Sequence, residues 1–409
     1  AEDRLPVLSP IRLRAARLAL LLGIDVPPEE VAGILGRLGL GVEAMDGGWQ
    51  VTPTSFRFDI RMEAALAEEV ARVWGYERIP LRVQPAAERL RPTEESSRSL
   101  PDLRRRLCAL GYQEAITYSF VSPAMQSLLD PGSATCPVAN PISSDMAVMR
   151  SSLWAGLLTA LQHNQNRQQR RVRLFETGLR FLSVPAGDVP AERSPIPTLD
   201  QRMAIAGIAC GSRQPENWTG DGGALDFFDI KGDVEALLDS GDGRAAGWVF
   251  EPAEHPALHP GQCARLRRGE QLGGFVGALH PRILAALDIT GPVYLFELDL
   301  AEIRRKTLPS FKGLSRFPEV RRDMALVLDE AVPAELVLSV AREAAGKWLK
   351  NLTLFDVYRG QGIELNKKSV AIGIVLQHPE RTLTDAEVGA VVEGIVAALA
   401  ARCAALQRY

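Results

Sequence analysis

Apolar residues recur along this chain of 409 residues with two spacings, three to four residues in some stretches and two residues in others. The first spacing predicts amphipathic helices and the second predicts strands. In the central stretch Val148–Phe181, the apolar positions of Ser152–Asn164 predict a helix with one buried face. The following residues, Val172–Phe181, contain Glu-Thr-Gly in their middle and predict a strand, a turn and a second strand.

The first eighty or so residues combine helical spacing with a short hairpin. Ile11–Leu22, Pro28–Leu38 and Glu63–Tyr76 are predicted helices, and Val42–Val51 is a predicted hairpin with Asp-Gly-Gly at its tip. Arg57–Ile60 is predicted to end a strand. Helices that surround a small hairpin favour a winged-helix-like module.

The chain from Ser315 onward has the clearest alternation of element types. Its order, βαββαβ, is typical of the ferredoxin-like fold. The predicted strands are Arg322–Leu328, Leu349–Tyr358, Ser369–Gln377 and Ala404–Arg408, and the predicted helices are Pro333–Ala345 and Thr384–Arg402.

Composition narrows the class of protein. Apolar residues make up 46% of the chain, which is enough for several folded domains, and the formal net charge of −3 excludes a global basic field for nucleic acid. Five widely spaced cysteines without a CxxC pair indicate a reducing compartment, so we expect a cytoplasmic protein. No apolar run reaches the roughly 20 residues that span a bilayer. No P-loop and no glycine-rich dinucleotide motif is present.

Three short motifs surround the central helix, which is followed by a polar run with four arginines. They are Asn140-Pro141-Ile142-Ser143, Met149-Arg150-Ser151-Ser152-Leu153 and Arg173-Leu174-Phe175-Glu176. With them the chain resembles the β subunit of bacterial phenylalanyl-tRNA synthetase, whose core is a catalytically silent copy of the class II synthetase fold. Class II enzymes place an ATP-binding arginine two positions before the glutamate, where this chain has Leu174. The resemblance therefore implies that ATP is bound, and phenylalanine activated, by the α subunit.

Val51–Pro80 resembles the winged-helix-like domain of the same family, a domain of DNA-binding fold. There the resemblance implies a Mg²⁺ site shared with the α subunit, at the positions of Asp59, Ala65, Glu68 and Glu69. Carboxylates are suitable ligands for this hard cation. Ala65 replaces an expected aspartate, so one ligand is missing. The alternative is that the two glutamates pair with a nearby arginine, Arg72, on a solvated helix face.

The end of the chain resembles the ferredoxin-fold anticodon-binding domain of that β subunit. The motifs that carry this resemblance are Arg316–Asp323, Leu354–Gly360 and Lys368-Ser369. RNA-reading sheets stack bases on exposed aromatic rings and form hydrogen bonds with base edges. The resemblance implies that Asp356, Tyr358 and Ser369 read the first anticodon base.

The predicted protein is thus a multidomain α+β chain. Its predicted domains are a winged-helix-like domain (1–81), a silent class II-like core with an antiparallel sheet (82–310) and a ferredoxin-like anticodon-binding domain (315–409). The resemblance implies a β-subunit portion that supports the α subunit in an α2β2 heterotetramer, binds tRNA(Phe) and contacts no membrane. Family members carry a tRNA-binding domain and an editing domain before this region, so we expect no editing by this chain. The alternatives are a stand-alone RNA-binding or regulatory paralogue and an active synthetase core.

Overall fold

The computed structural model describes residues 8–81, 94–185, 194, 196–218, 222–239, 247–306, 308, 311 and 313–408. The predicted linker over 82–98 lies mostly outside these residues. The chain divides into two compact units, Ala1–Pro92 and Thr93–Tyr409, which are described separately. None of the helices described is both long enough and apolar enough to cross a membrane.

The first unit contains three helices and a three-stranded antiparallel sheet of order β1-β3-β2. Its elements are β1 (Ile11–Arg14), α1 (Ala15–Leu22), α2 (Pro28–Arg37), β2 (Gly41–Met45), β3 (Gly48–Thr52) and α3 (Glu63–Trp74), followed by a 3₁₀ turn at Tyr76–Arg78. The predicted hairpin and the second and third helices are confirmed, with ends that differ by one or two residues.

The first predicted helix, Ile11–Leu22, is confirmed from Ala15 to Leu22, but its first four residues and the predicted strand end are wrong. Ile11–Arg14 is a strand because Leu13 is completely buried opposite Trp49, and Gly48 leaves room for the backbone of Leu13. Arg57–Ile60 does not end a strand but forms a turn, in which the Ile60 N–H donates to the Arg57 carbonyl (3.3 Å).

The second unit opens with a core built on a seven-stranded sheet of order β10-β11-β12-β13-β9-β8-β4. Among the strand pairs described for this sheet, only β4–β8 is parallel. Its helices are α4 (Leu100–Ala109), α5 (Pro123–Leu129), α6 (Trp154–Gln165), α7 (Phe227–Leu238), α8 (Pro281–Ala286) and α9 (Leu300–Ile303), with a 3₁₀ turn at Ser144–Met146. Its strands are β4 (Gln113–Glu114), β5 (Phe120–Val121), β6 (Cys136–Pro137), β7 (Val148–Met149), β8 (Val172–Ser183), β9 (Leu199–Cys210), β10 (Val249–Pro252), β11 (Leu258–Arg268), β12 (Gln271–Leu279) and β13 (Val293–Asp299). Strands β5, β7 and β6 form a separate small sheet.

Both faces of the large sheet are covered. Along β8, Val172 and Leu174 pack in the apolar cluster that contains α6, whereas Phe175 packs with α4 and α7 on the opposite face. The predicted strand–turn–strand is wrong, because β8 pairs with β9 without a break. Gly178 marks no turn here. A Cβ atom at this position would lie 2.4 Å from Arg150 Nη2, so the glycine makes space for that side chain.

The second unit ends in a ferredoxin fold with a four-stranded antiparallel sheet of order β15-β16-β14-β17. Its elements are β14 (Val320–Asp329), α10 (Ala334–Ala345), β15 (Leu349–Tyr358), β16 (Lys367–Leu376), α11 (Asp385–Cys403) and β17 (Leu406–Arg408), with a 3₁₀ turn at Gly346–Trp348. All six elements were predicted, with ends that differ by at most two residues. Both helices of this fold pack on one face of the sheet, so neither of them covers the other face.

Candidate nucleic-acid interface

A β-bulge in β15 decides which of its side chains face away from the helices. In a regular strand, residues two apart share a face, so Leu354, Asp356 and Tyr358 would all point into the core. Leu354 and Asp356 instead lie opposite adjacent residues of β16, so Phe355 is left without a partner in the ladder. The extra residue reverses the alternation. Leu354 packs against the core, and Asp356 and Tyr358 lie on the open face.

The open face brings the three predicted base-reading residues onto two neighbouring strands. Tyr358 lies directly opposite Ser369, and Asp356 lies opposite Ala371, the next residue of β16 on this face. Tyr358 is 41% exposed, whereas Ser369 is only 7% exposed. The serine hydroxyl therefore lies at the floor of the face, beneath the level of the aromatic ring and the carboxylate.

The turn after β15 fixes the ring of Tyr358. The Tyr358 hydroxyl donates to the backbone oxygen of Gln361 (3.3 Å), and a Cβ atom at Gly360 would lie 2.7 Å from that hydroxyl. The next side chain, Arg359, donates to both carboxylate oxygens of Glu330 (2.8–3.1 Å). These hydrogen bonds hold the pKa of Glu330 below its usual range. The turn therefore holds the ring, which is 41% exposed, in a defined position.

Strand β14 adds charge and an aromatic contact to the same face. Arg321 donates to Asp323 (2.9 Å), and its guanidinium carbon lies 5.7 Å from the centre of the Phe355 ring. Both charged side chains lie over Gly373, where a Cβ atom would be 2.8 Å from the Asp323 carboxylate. Arg321, Asp323 and Phe355 belong to the sequence motifs of this domain, but no role was predicted for them from the sequence.

The residues of the predicted magnesium site are held by arginines. Arg57 donates to Asp59 (2.7 Å) and to Glu69 (3.0 Å), and Arg72 also donates to Glu69 (2.6 Å). Hydrogen bonding to Arg57 lowers the pKa of both carboxyl groups. Glu68 is exposed on α3 and makes no hydrogen bond or ion pair with a described residue.

The carboxylates of this region do not form a ligand set by themselves. The Arg57 guanidinium already joins Asp59 and Glu69, and Ala65, the replacement for an aspartate, packs against the apolar core. Across the part of the chain that the structure describes, no three His, Cys, Asp or Glu side chains could hold a metal ion together. Of the alternative that both glutamates pair with Arg72 on a solvated face, the pairing of Glu69 is present, but Glu69 is buried.

Comparison with protein families accounts for most of the chain. The phenylalanyl-tRNA synthetase β chain CLM domain model matches residues 79–300, which is more than half of the sequence. The chain belongs to the phenylalanyl-tRNA synthetase β chain family. Two further models match the flanks of the CLM region, the tRNA synthetase B5 domain at residues 11–76 and the ferredoxin-fold anticodon-binding domain at residues 315–408.

Curated relatives are similar over the whole chain. Proteins named phenylalanine–tRNA ligase beta subunit from Pseudomonas syringae pv. syringae and Hahella chejuensis are 49% and 45% identical, and each alignment covers 100% of this chain and 50% of the relative. The protein of that name from Methylococcus capsulatus is 47% identical over 98% of this chain and 49% of its own length. The chain thus spans about half the length of the curated relatives it matches.

Within this β-chain core, the motif residues form a buried charge network. Arg150 and Glu176 pair at 2.8 Å, with each side chain only 3% exposed, and the Thr117 hydroxyl donates to the same carboxylate (2.7 Å). A Cβ atom at Gly156 would clash with Thr117, so this glycine of α6 allows the close approach. Arg150 and Glu176 belong to separate sequence motifs, and their contact was not predicted from the sequence.

Four of the five histidines of this β chain have the same structural role. His255, His259, His280 and His378 each precede a proline, and each accepts a hydrogen bond at Nδ1 from the backbone N–H two residues later (3.0–3.1 Å). These contacts stabilise turns, as side-chain acceptors do in Asx turns.

Proposed function

We propose that this chain is part of the β subunit of a phenylalanine–tRNA ligase and binds the anticodon region of tRNA(Phe) on the open face of its ferredoxin fold. The bulge at Phe355 is the observation that carries the proposal. It brings a carboxylate and a phenol out of the core and onto the same face, next to a central strand with the small residues Ala371 and Gly373. Such a floor can accommodate a flat nucleobase.

The three side chains have distinct roles in this proposal. The carboxylate of Asp356 accepts hydrogen bonds from a guanine edge, and the ring of Tyr358 stacks on a base. The buried hydroxyl of Ser369 contacts only a base that lies flat on the sheet. Arg321, on the neighbouring strand β14, supplies the positive charge that a phosphate of the same loop requires.

The test is the affinity of the chain for tRNA(Phe) after replacement of Asp356 with alanine. We expect a loss of about 1–3 kcal/mol, the value of a good contact between a side chain and a base edge. The matched control is Glu343→Ala, because Glu343 is an exposed carboxylate on α10, on the face of the sheet that carries the helices. Unchanged affinity in Asp356→Ala, measured by filter binding, would remove Asp356 from the interface.

An exposed apolar patch supports assembly with an α subunit. Ile116, Tyr118, Phe120 and Ile142 are all exposed, and the first three line a groove of about 720 Å³ beside α6. Contiguous apolar surfaces of this kind mark protein interfaces. We propose that the patch packs against the α subunit in an α2β2 heterotetramer in the cytoplasm. A stand-alone RNA-binding or regulatory paralogue would leave it uncovered.

The core itself is proposed to be a class II-like domain without an activation site. Its antiparallel sheet with a single parallel edge pair, β4–β8, supports that fold. Leu174 stands where the ATP-binding arginine is expected, and its side chain is buried in an apolar cluster. Activation and ATP binding are then functions of the α subunit. The helices and hairpin of residues 11–76 support a winged-helix-like domain, and the domain limits 1–81, 82–310 and 315–409 remain predictions.

The Mg²⁺ site shared with the α subunit also remains a prediction from the resemblance. Within this chain, Asp59 and Glu69 do not fit a cation while Arg57 joins them. Magnesium binding here therefore requires that Arg57 moves away or that the α subunit supplies the ligands. No part of the proposed RNA recognition depends on the ion.

A further inference from the structure

The connection between α6 and β8 is a rigid turn that carries several arginines. The backbone N–H groups of Arg167 and Gln169 donate to the Asn164 carbonyl (3.0 and 3.1 Å), which folds the turn back on the end of α6. Gln168, at the tip, adopts a positive φ of 65°. At Gly211 of the neighbouring segment, a Cβ atom would lie 2.3 Å from the backbone of this turn, so only glycine allows the close approach.

Backbone oxygens and an imidazole contact two of the guanidinium groups of this turn. Arg171 donates to the backbone oxygens of Ser212 (3.2 Å) and Arg213 (3.3 Å), and Arg167 contacts Nδ1 of His163 (2.8 Å). Arg170 is exposed. Among the residues described, no carboxylate forms an ion pair with any of the three arginines of the turn.

Acidic side chains of the neighbouring elements are paired with other arginines. Arg173 binds Asp233 (2.8 Å), Arg213 binds Asp229 (2.7 Å) and Arg104 binds Glu114 (3.0 Å). Burial lowers the pKa of Arg171, and repulsion by Arg173 adds to this effect, whereas Asp233 acts in the opposite direction. The turn is thus a local positive site on a chain whose formal net charge is −3.

The same residues enclose a cavity of about 320 Å³. Its polar lining consists of Gln113, Asn164, Arg167, Gln169, Arg171 and Arg173, and no carboxylate lines it. Guanidinium groups match the geometry of phosphate oxygens and bind them as charge-assisted donors. We propose that this cavity, named here the α6–β8 pocket, binds a phosphate group, supplied either by an RNA backbone or by a free phosphate compound.

If the phosphate group belongs to an RNA backbone, the pocket adds a backbone contact to the proposed binding of tRNA. In that case the inference rests on the proposed function. The two are separable by experiment. A phosphate contact carries no sequence information, so the α6–β8 pocket should bind a uridine oligomer as well as tRNA. Asp356→Ala should leave binding of the uridine oligomer unchanged, even where it weakens tRNA(Phe).

The experiment compares the full chain with Arg167→Gln and Arg171→Gln. Fluorescence anisotropy with a labelled uridine oligomer is measured over a range of salt concentrations, and calorimetry is run with inorganic phosphate. The control is Arg105→Gln, because Arg105 is a largely exposed arginine of α4 and the change in net charge is the same. Arg171 also donates hydrogen bonds to backbone oxygens, so thermal unfolding is measured to check that the Arg171→Gln variant remains folded. Arg167 provides the second test, because its side-chain hydrogen bonds with described residues are to His163 alone.

An RNA site predicts that each variant weakens oligomer binding several-fold at low salt. It also predicts that each lowers the slope of log K against log salt by about 0.7, the value for one phosphate contact with a single strand. A site for a free phosphate compound predicts that phosphate binding is lost in the variants while oligomer binding is unchanged. If both variants bind both probes as Arg105→Gln does, the α6–β8 pocket is not a phosphate site.

Discussion

At the scale of single residues, the buried pair of Arg150 and Glu176 has the largest expected effect on stability. Removal of one partner leaves the other charge buried and unpaired, which costs about 3–5 kcal/mol. Arg150→Met should lower the free energy of unfolding by this amount in urea denaturation. Arg105→Met, at an exposed site, should change it by about 0.5 kcal/mol or less. A loss below about 1 kcal/mol for Arg150→Met would mean that solvent reaches the pair.

A second ion pair gives the first unit a dependence on pH. Arg14 forms hydrogen bonds with Glu63 at the start of α3 and lowers its pKa from 4.5 to about 2. Because the folded pKa lies below the ordinary value, the stabilisation is present above about pH 4.5 and is lost as the pH falls toward 2. The expected contribution is about 1 kcal/mol or less at this partly exposed site.

Thermal unfolding of Glu63→Gln between pH 2 and pH 6 measures this contribution. The variant should melt at a lower temperature than the parent at pH 6, and the difference should vanish near pH 2. Glu30→Gln, an exposed position in the first turn of α2, serves as the control. A difference between Glu63→Gln and the parent that persists at pH 2 would indicate a packing effect and not an effect of charge.

At the scale of elements, the bulge in β15 allows a sharp prediction. Deletion of Phe355 removes the unpaired residue and leaves a regular strand in which Asp356 and Tyr358 keep their faces. Deletion of Val357 cannot give a strand in which both residues keep their faces, because either Asp356 or Tyr358 must then point into the core. We expect the first variant to fold and to keep the contribution of Asp356 to tRNA binding.

The second deletion should lower the free energy of unfolding by about 2 kcal/mol or more, because a polar group is buried without a partner. Urea denaturation of both deletion variants makes the comparison. Equal stability of the two would show that β15 changes its register freely, and the bulge would then not be the feature that orients Asp356.

The elements also show what the sequence can and cannot predict. The helix α6 and all six elements of the ferredoxin fold follow from hydrophobic spacing, because each buries one face. Gly178 predicts a turn from the sequence alone, but in the structure it provides space for a distant side chain, Arg150. The bulge at Phe355 was likewise not predictable from the sequence. Its cause is the pairing with β16, and local spacing alone would place Asp356 in the core.

At the scale of the whole chain, separate sequence motifs indicate the family, whereas the pairing of the charged side chains is visible only in the structure. The sequence shows four arginines after α6, and nothing in their spacing distinguishes Arg173, which pairs with Asp233, from Arg167 and Arg171, which have no acidic partner among the described residues. The difference depends on α7, which is far away in sequence. Long-range pairing decides which charges are available to a ligand.

Assembly with an α subunit is the prediction that concerns the molecule as a whole. Light scattering of this chain mixed with the α subunit of the same species should give the mass of two copies of each. Ile116→Asp should weaken the complex, because it places a charge in the exposed apolar patch. Leu365→Asp is the control, since Leu365 is equally exposed (93%) on the ferredoxin fold, away from the patch.

The three possible results have different meanings. Assembly that fails only in Ile116→Asp would locate the α contact at the patch beside α6. If both variants still assemble with the α subunit, the α contact lies elsewhere on the chain. Separate peaks for the unmodified chain at micromolar concentration would favour the stand-alone RNA binder or a need for the other half of the relatives' length. Fusion of the other half of a relative, such as the Pseudomonas syringae protein, to this chain would then decide, because the fusion restores the heterotetramer only if that half is what the chain needs.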